Sequence, residues 1–225
     1  FKADYDVKTA IIDEEAKKIV MPKFVDNPPL TLDDQLRYSE EKLPDGGPLV
    51  VSTFESMTSA TAGLAFDMHV IPESHLHYVS AIPVLLTEVG VIKDGVPLAY
   101  DEMIERIRRE ILSLETYYSA NSRTERVELV VRGSGSDSQE AIKALGWMES
   151  ILFDADWRTE NLPRIRDAID LYLKGLRNTM KRSEESWVQD PAYAYWKQTN
   201  PLYLSANSFL TKVHAIHRLR WMLKE

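Results

Sequence analysis

The stretch Leu64-Ala65-Phe66-Asp67-Met68-His69-Val70 decides the fold. Successive side chains of an extended chain point to opposite faces, so Leu64, Phe66, Met68 and Val70 share one side. Ala65, Asp67 and His69 share the other. Such alternation describes a strand with one covered and one solvated face, as in an antiparallel sheet backed on one side. A strand over residues 61–70, ended by Pro72, is therefore expected. Upstream, Leu49-Val50-Val51-Ser52-Thr53-Phe54 is short and β-branched and reads as a strand joined to it by a polar turn. Downstream, residues 125–132 repeat the pattern, with Val127, Leu129 and Val131 on one face.

Between and after these strands the period changes to that of helices. Residues 74–89 read as a helix closed by Gly90 as a C-terminal cap, and residues 91–99 as a turn-rich connection. Asp101 is placed to cap a helix whose stripe is Ile104, Ile107, Ile111, Leu114 and Tyr118. Gly133-Ser134-Gly135-Ser136 reads as a turn, and Asp137 with Glu140 as a capping pair. The helix this pair opens carries Ile142, Leu145, Met148 and Leu152. Past Trp157, a long helix holds Leu162, Ile165, Ile169, Leu173, Leu176 and Met180, with Pro163 at its start. Residues 185–225 read as helical, broken by Pro191 and Pro201. The order β-β-α-α-β-α-α predicts an α+β two-layer sandwich, an antiparallel sheet with helices on one face, plus a helical C-terminal segment. The strict βαβ alternation of a doubly wound parallel sheet is missing.

Three parts follow. Residues 1–47 read as a hinge or linker-like lead-in. It has a helix-tolerant stretch (Ile11, Glu14, Glu15, Lys18) stopped by Pro22, and a stiff Asn27-Pro28-Pro29. A short helical turn from Thr31 holds Leu32 and Leu36, and Asp45-Gly46-Gly47-Pro48 reads as a turn. Residues 48–184 form the α+β unit, and 185–225 a helical extension.

Composition bounds the function. The 225 residues are 44% hydrophobic and 28% charged, with 9 Gly and 11 Pro, which excludes disordered and collagen-like classes. No apolar run reaches the roughly 18 residues that span a bilayer, so no membrane partner is expected. The absence of cysteine removes disulfides and thiol chemistry and leaves the compartment open. A net charge of −8 argues against a nucleic-acid partner. The charge is uneven: −4 over residues 1–47, −8 over 48–155 and +4 over 156–225. The basic end reads as solvated helix faces or as a surface for an acidic partner. A start at Phe1 rather than Met suggests a piece of something longer.

Candidate chemistry is sparse. His75 and His77, two apart at a helix start, diverge rather than converge on a metal. His69 lies opposite the apolar face of its strand. His214 and His217 sit three apart on a helix with no third ligand evident. No H-E-x-x-H, H-x-x-E-H or G-x-S-x-G string occurs. The turn at Gly133–Ser136 lacks a phosphate-loop lysine, and Asp137 would repel an anion. Glu14-Glu15 and Glu184-Glu185 read as solvated surface. Trp187, Tyr193, Tyr195, Trp196 and Tyr203 read as a helix–helix seam, or else as a peptide-contacting wall. No catalytic, cofactor-binding or metal residue is assigned.

The segments Leu64–Glu73 and Tyr78–Gly90, with Pro83, Leu85, Leu86, Thr87, Glu88 and Gly90, resemble insulinase-like (M16) zinc metallopeptidases, in the presequence-protease branch. Residues 127–157 and the helix over 162–180 are similar to later parts of the same unit, and 1–47 resemble the hinge joining the two halves. The resemblance implies a parent of repeated α+β units in which only the first holds zinc through H-x-x-E-H. If Gly90 matches the glycine after that motif, the ligand and base positions fall at Ala81, Val84 and Leu85. The chain then looks like a non-catalytic unit forming chamber wall and inter-domain interface. The resemblance implies no cofactor in this chain, with zinc in the parent's catalytic unit. It also implies, as partners, the parent's other domains, its peptide substrate and a homodimer of the isolated piece. The alternative is a stand-alone α+β interaction module with no enzymatic role. A small metalloenzyme using His75, His77 and a distant carboxylate is the third reading.

Overall fold

In the run Arg126–Gly135, Val127, Leu129 and Val131 alternate with polar neighbours, and the alternation sets up a central strand. The computed structural model describes residues 2–18, 36–93, 95–121, 124–183 and 199–224. The chain divides into two units, Phe1–Ser56 and Met57–Glu225.

In the first unit, α1 spans Lys2–Lys18, longer than the stretch legible in sequence, and Lys17 pairs with Glu14 at 2.8 Å. Strands β1 (Arg37–Lys42) and β2 (Pro48–Thr53) form an antiparallel hairpin in which Glu40 faces Val50 and Ser39 faces Val51. Its tight turn is closed by hydrogen bonds between Leu43 and Gly46 and between Leu43 and Gly47, each 2.8 Å. The strand expected at 49–54 thus exists, but it pairs with β1 and not with the strand that follows it. Strand β1 has no signature in the sequence because Arg37-Tyr38-Ser39-Glu40-Glu41-Lys42 lacks an apolar face; all six residues are exposed. The helical turn expected from Thr31 lies outside the described residues apart from Leu36.

In the second unit, an antiparallel sheet runs β3 (Ala60–Asp67), β7 (Arg126–Gly135), β6 (Ser113–Asn121). Leu64 pairs with Val131 and Phe66 with Leu129, so the expected apolar face of β3 is the inner face of the sheet. Yet Leu64 stays 41% exposed and Phe66 39%, because β3 is an edge strand and its inner face is only partly covered. The strand stops at Asp67, short of the expected Val70. Met68–Val70 is a single 3₁₀ turn capped by Asp67, whose carboxylate accepts from the His69 amide at 3.0 Å.

The sequence 74–89 does not make one helix. It is a 3₁₀ turn (Glu73–His75), then α2 (Leu76–Val79), then α3 (Ile82–Glu88). The break has one cause. Pro83 has no N–H to give the Val79 carbonyl four residues back. Gly90 closes α3 as expected. Its φ of +83° and the 2.6 Å between a built Cβ and the Leu98 carbonyl leave room for glycine alone. The connection after it contains a small hairpin, β4 (Val91–Lys93) and β5 (Val96–Leu98).

Helix α4 (Tyr100–Glu110) is capped by Ala99. Asp101 lies in the first turn, where its charge suits the helix dipole but makes no capping bond. The helical stripe expected through Tyr118 ends early. Ile111 is already extended at φ −145°, and Leu114, Thr116, Tyr118 and Ala120 point inward from β6 with period two. Two periods fit the same residues, because 107, 111, 114 and 118 satisfy helical spacing while 114, 116, 118 and 120 satisfy a strand.

Gly133–Gly135 continue β7 and do not form a turn. A Cβ on Gly135 would lie 2.3 Å from the Ala141 amide, so glycine lets α5 (Ser138–Phe153) start directly against the strand. Asp137 caps α5 through the Glu140 amide at 2.9 Å, and Glu140 accepts from the Ser136 amide at 2.8 Å, as expected. The inward face of α5 is Ala144, Trp147, Met148 and Ile151; Ile142 and Leu145 are exposed. The close approach at Gly133, where Ala144 Cβ would be 3.0 Å from an added Cβ, selects the small-residue face over the bulkier one. Helix α6 (Leu162–Thr179) buries Ile165, Ile169, Leu173 and Leu176, as expected. Helices α7 (Pro201–Asn207) and α8 (Phe209–Met222) belong to the core, with Tyr203 and Ile216 fully buried. The chain is an α+β protein with antiparallel sheets. No helix among the described residues is long and apolar enough to cross a membrane.

Candidate functional site

Two features meet at α2 and α3. The first is the break itself. The Val79 carbonyl that Pro83 abandons accepts from the Tyr118 hydroxyl of β6 at 2.8 Å. The Pro83 carbonyl accepts from Thr116 Oγ1 at 2.5 Å, and Ser80 Oγ donates to the Ser205 carbonyl at 2.8 Å. Burial pushes the Tyr118 phenol far above its ordinary value, which keeps it a neutral donor. At the other end of α3, Arg164 donates Nε to the Glu88 carbonyl (2.7 Å) and Nη2 to the Glu88 carboxylate (2.5 Å). Its guanidinium stacks 3.9 Å from the Tyr100 ring centroid. Helix α3 is thereby clamped to the sheet at one end and to α6 at the other.

The inner side of α3 opens onto an apolar groove of about 500 Å³, lined among others by Ala81, Leu85, Ile165, Ile169, Leu219 and Trp157. Ala81 is buried with Ile169, Leu173 and Ile216, and Leu85 packs against the same cluster. Val84 is half-buried. These three positions stand where the resemblance puts two zinc ligands and a base. A methyl, an isopropyl and an isobutyl group offer no lone pair, so they do not fit a metal.

The second feature is a cleft of about 710 Å³ between the start of α2 and the outer side of α8. Its lining includes Glu73, Leu76, His77, Thr211, His214 and Arg218. His77 Nε2 is buried there without a hydrogen-bond partner. Burial lowers the His77 pKa, and Arg218 and His75 lower it further. His214 and Arg218 are one turn apart on α8 and both exposed.

Of the remaining sequence candidates, His69 is exposed and bonds Asp67 through Nδ1 at 2.7 Å. His75 is exposed at a ring-centroid distance of 6.1 Å from Tyr78. His217 is half-buried on α8, and burial followed by Arg177, Arg220 and His214 lowers its pKa. His77 and His214 line the same cleft, a pairing not visible in the sequence. Among the described residues no group of three or more His, Cys, Asp or Glu is arranged to hold a metal ion. Tyr203 packs in the core with Leu129 and Met68; Trp187, Tyr193, Tyr195, Trp196 and Glu184-Glu185 lie outside the described residues. Sequence reasoning missed Arg218 and Thr211. The only signal was their three- and four-residue spacing from His214 on one helical face.

No protein-family model matches the chain, and a search of curated proteins returns no match.

Proposed function

We propose that this chain is a non-catalytic α+β unit of an insulinase-like zinc metallopeptidase, the metal and the peptide hydrolysis belonging to another unit of the parent. Its work would be to form chamber wall and inter-domain interface, with the parent's other domains and its peptide substrate as partners. One observation carries this reading. The inner face of α3, where a working relative would hold its ion, is here Ala81 and Leu85 against an apolar groove. The groove is partly open, with Tyr78, Trp157 and Met222 exposed along it, as a face prepared for a neighbouring surface would be.

The purified chain, given equimolar zinc and passed through a desalting column, is expected to retain no stoichiometric metal by atomic absorption. It is also expected to cleave no unstructured peptide. One tightly held zinc per chain, or chelator-sensitive hydrolysis, would overturn the proposal. A bare neighbour-facing surface should also make the isolated chain associate as concentration rises. Light scattering that reads a strict monomer into the millimolar range would count against the interface role.

A further inference from the structure

Helix α2 is a single turn, too short to stand on its own, and it packs against α7 and α8. His77 sits in that packing. Its ring centroid lies 3.9 Å from that of Tyr78, and its Nε2 is shut off from solvent with no hydrogen-bond partner. A neutral imidazole can bear this, because an unmet acceptor costs far less than a buried charge. An imidazolium cannot. Both of its ring nitrogens carry a hydrogen, so Nε2 becomes a charged donor with nothing to receive it.

The charges around the ring give it no relief. His75 and the exposed Glu73 stand on its own side, and α8 contributes His214 and Arg218. Helix α7 has no charged residue, and α3 has only Glu88, which Arg164 holds at the far end. Glu73 is the one carboxylate that lines the cleft, and it gives Nε2 no hydrogen bond. Burial first, then Arg218 and then His75 lower the His77 pKa, against a backbone hydrogen bond with Ser74 that favours the charged form. We infer that mild acid loosens α8 from α2, the proton going to His77 Nε2 and water entering the cleft to solvate it. The direction follows from linkage. A histidine that folding keeps neutral costs nothing well above its unfolded pKa of about 6.5, and it destabilises increasingly as pH falls through that value toward the lower folded one. Helix α8 also brings Leu219 and Met222 to the apolar groove, so acid acts on a wall of the groove as well as on the cleft. The inference uses nothing of the family reading, and its failure would leave that reading intact.

The test is native-state hydrogen exchange of the full chain at pH 7.5 and 5.5, with protection corrected for the pH dependence of intrinsic exchange. Between the two values the amides of α2 and of residues 211–218 should lose up to about ten-fold more protection in the parent than in His77→Gln, whose side chain takes no proton. That factor is the weight an opened state gains when an ordinary histidine is protonated over this range. His217→Gln, which removes the second imidazole of lowered pKa on α8, should leave the His77 share in place. The His77 ring itself, followed by NMR, should titrate below 6.5 in the parent and higher in Arg218→Gln. Arg218 is exposed, so that variant should fold and carries the exchange test if His77→Gln does not: its loss of protection should be smaller than the parent's. Equal losses in the parent and in the variant compared with it, or a His77 ring that titrates at or above 6.5, would overturn the inference.

Discussion

Replacing Tyr118 by Phe should destabilise the second unit, and replacing Pro83 by Ala should cancel most of that effect. The Tyr118 hydroxyl makes one half-buried bond, to the Val79 carbonyl at 2.8 Å. That carbonyl needs it because residue 83 is proline. Removing the hydroxyl leaves an acceptor unsatisfied in a region where the neighbouring Val79 and Ser80 are buried. The cost of such a loss is about 1 to 2 kcal/mol. An alanine at 83 restores an N–H four residues along from Val79, in a segment whose linking residues Ser80 and Ala81 are already in the α region. In that background Tyr118→Phe should cost about 0.5 kcal/mol or less, giving a coupling near 1 kcal/mol between residues that share one carbonyl. Urea denaturation of the four proteins, followed by circular dichroism with a common slope, measures the cycle. Equal costs of Tyr118→Phe in both backgrounds would refute the claim that tyrosine stands in for the missing amide.

Gly90→Ala should destabilise by about 2 kcal/mol or more, because it combines a φ of +83° with a Cβ pressed against the Leu98 carbonyl; a thermal melt that moves by less than a degree would contradict this. Gly175→Ala, inside α6 with open space around its added Cβ, should instead stabilise by about 0.5 to 1 kcal/mol in the same melt. Acid should expose the pairing of Asp156, whose carboxylate takes two Arg158 guanidinium bonds at 2.8 Å and sits below the usual carboxylate range because of them. A carboxyl lowered by folding stabilises above its unfolded pKa of about 4 and loses that contribution as pH falls through the lower folded value. Asp156→Asn should therefore be less stable at pH 7 and show a flatter stability profile below about pH 4; a profile parallel to the parent would remove Asp156 from the account.

How much of this was legible in the sequence depended on whether one physical signal stood alone at a given place. Val127, Leu129 and Val131 alternate inside a strand covered by helices, and no helical reading competes with them. The pair Asp137 and Glu140 announces a helix start by chemistry that works locally. The stripe of α6 is long enough to be unambiguous. Where two signals overlapped, the longer pattern misled, as it did from Ile111 to Tyr118. Where a contact distant in sequence decided the outcome, nothing local could show it: Ala144 faces the sheet because Gly133 lets it approach. The hairpin at 37–53 was half legible, since β2 has β-branched residues and β1 has none of the apolar rhythm that marks a covered strand. The greasy inner side of α3 was readable at Ala81 and Leu85. The cleft was not, because His77 and His214 are 137 positions apart and meet only once α8 folds back on α2.

Helix α3 is held in a manner that suits a scaffold, and Arg164 tests how firmly. Seven residues make too short a helix to stand on propensity, so its position must come from its ends. At the C-terminal end the Glu88 carbonyl is among the last acceptors that no helical amide can reach. Arg164 takes that carbonyl with Nε and the Glu88 carboxylate with Nη2, holds Asp167 with Nη1 at 2.9 Å, and lays its plane on Tyr100. One planar group fills four roles that a lysine cannot share out, because an ammonium has no fork and no face to stack. Arg164→Lys should accordingly cost nearly as much as Arg164→Ala, each about 2 kcal/mol, the range of hydrogen bonds to charged groups in a half-buried setting. Hydrogen exchange should report the change first at the amides of Leu86 to Val89, because the end of α3 opens before the sheet does. A lysine variant as stable as the parent would mean that charge alone holds this end. The clamp would then be an ordinary ion pair, and the fixed placement of α3 would have to come from Tyr118, Thr116 and the packing of Ala81.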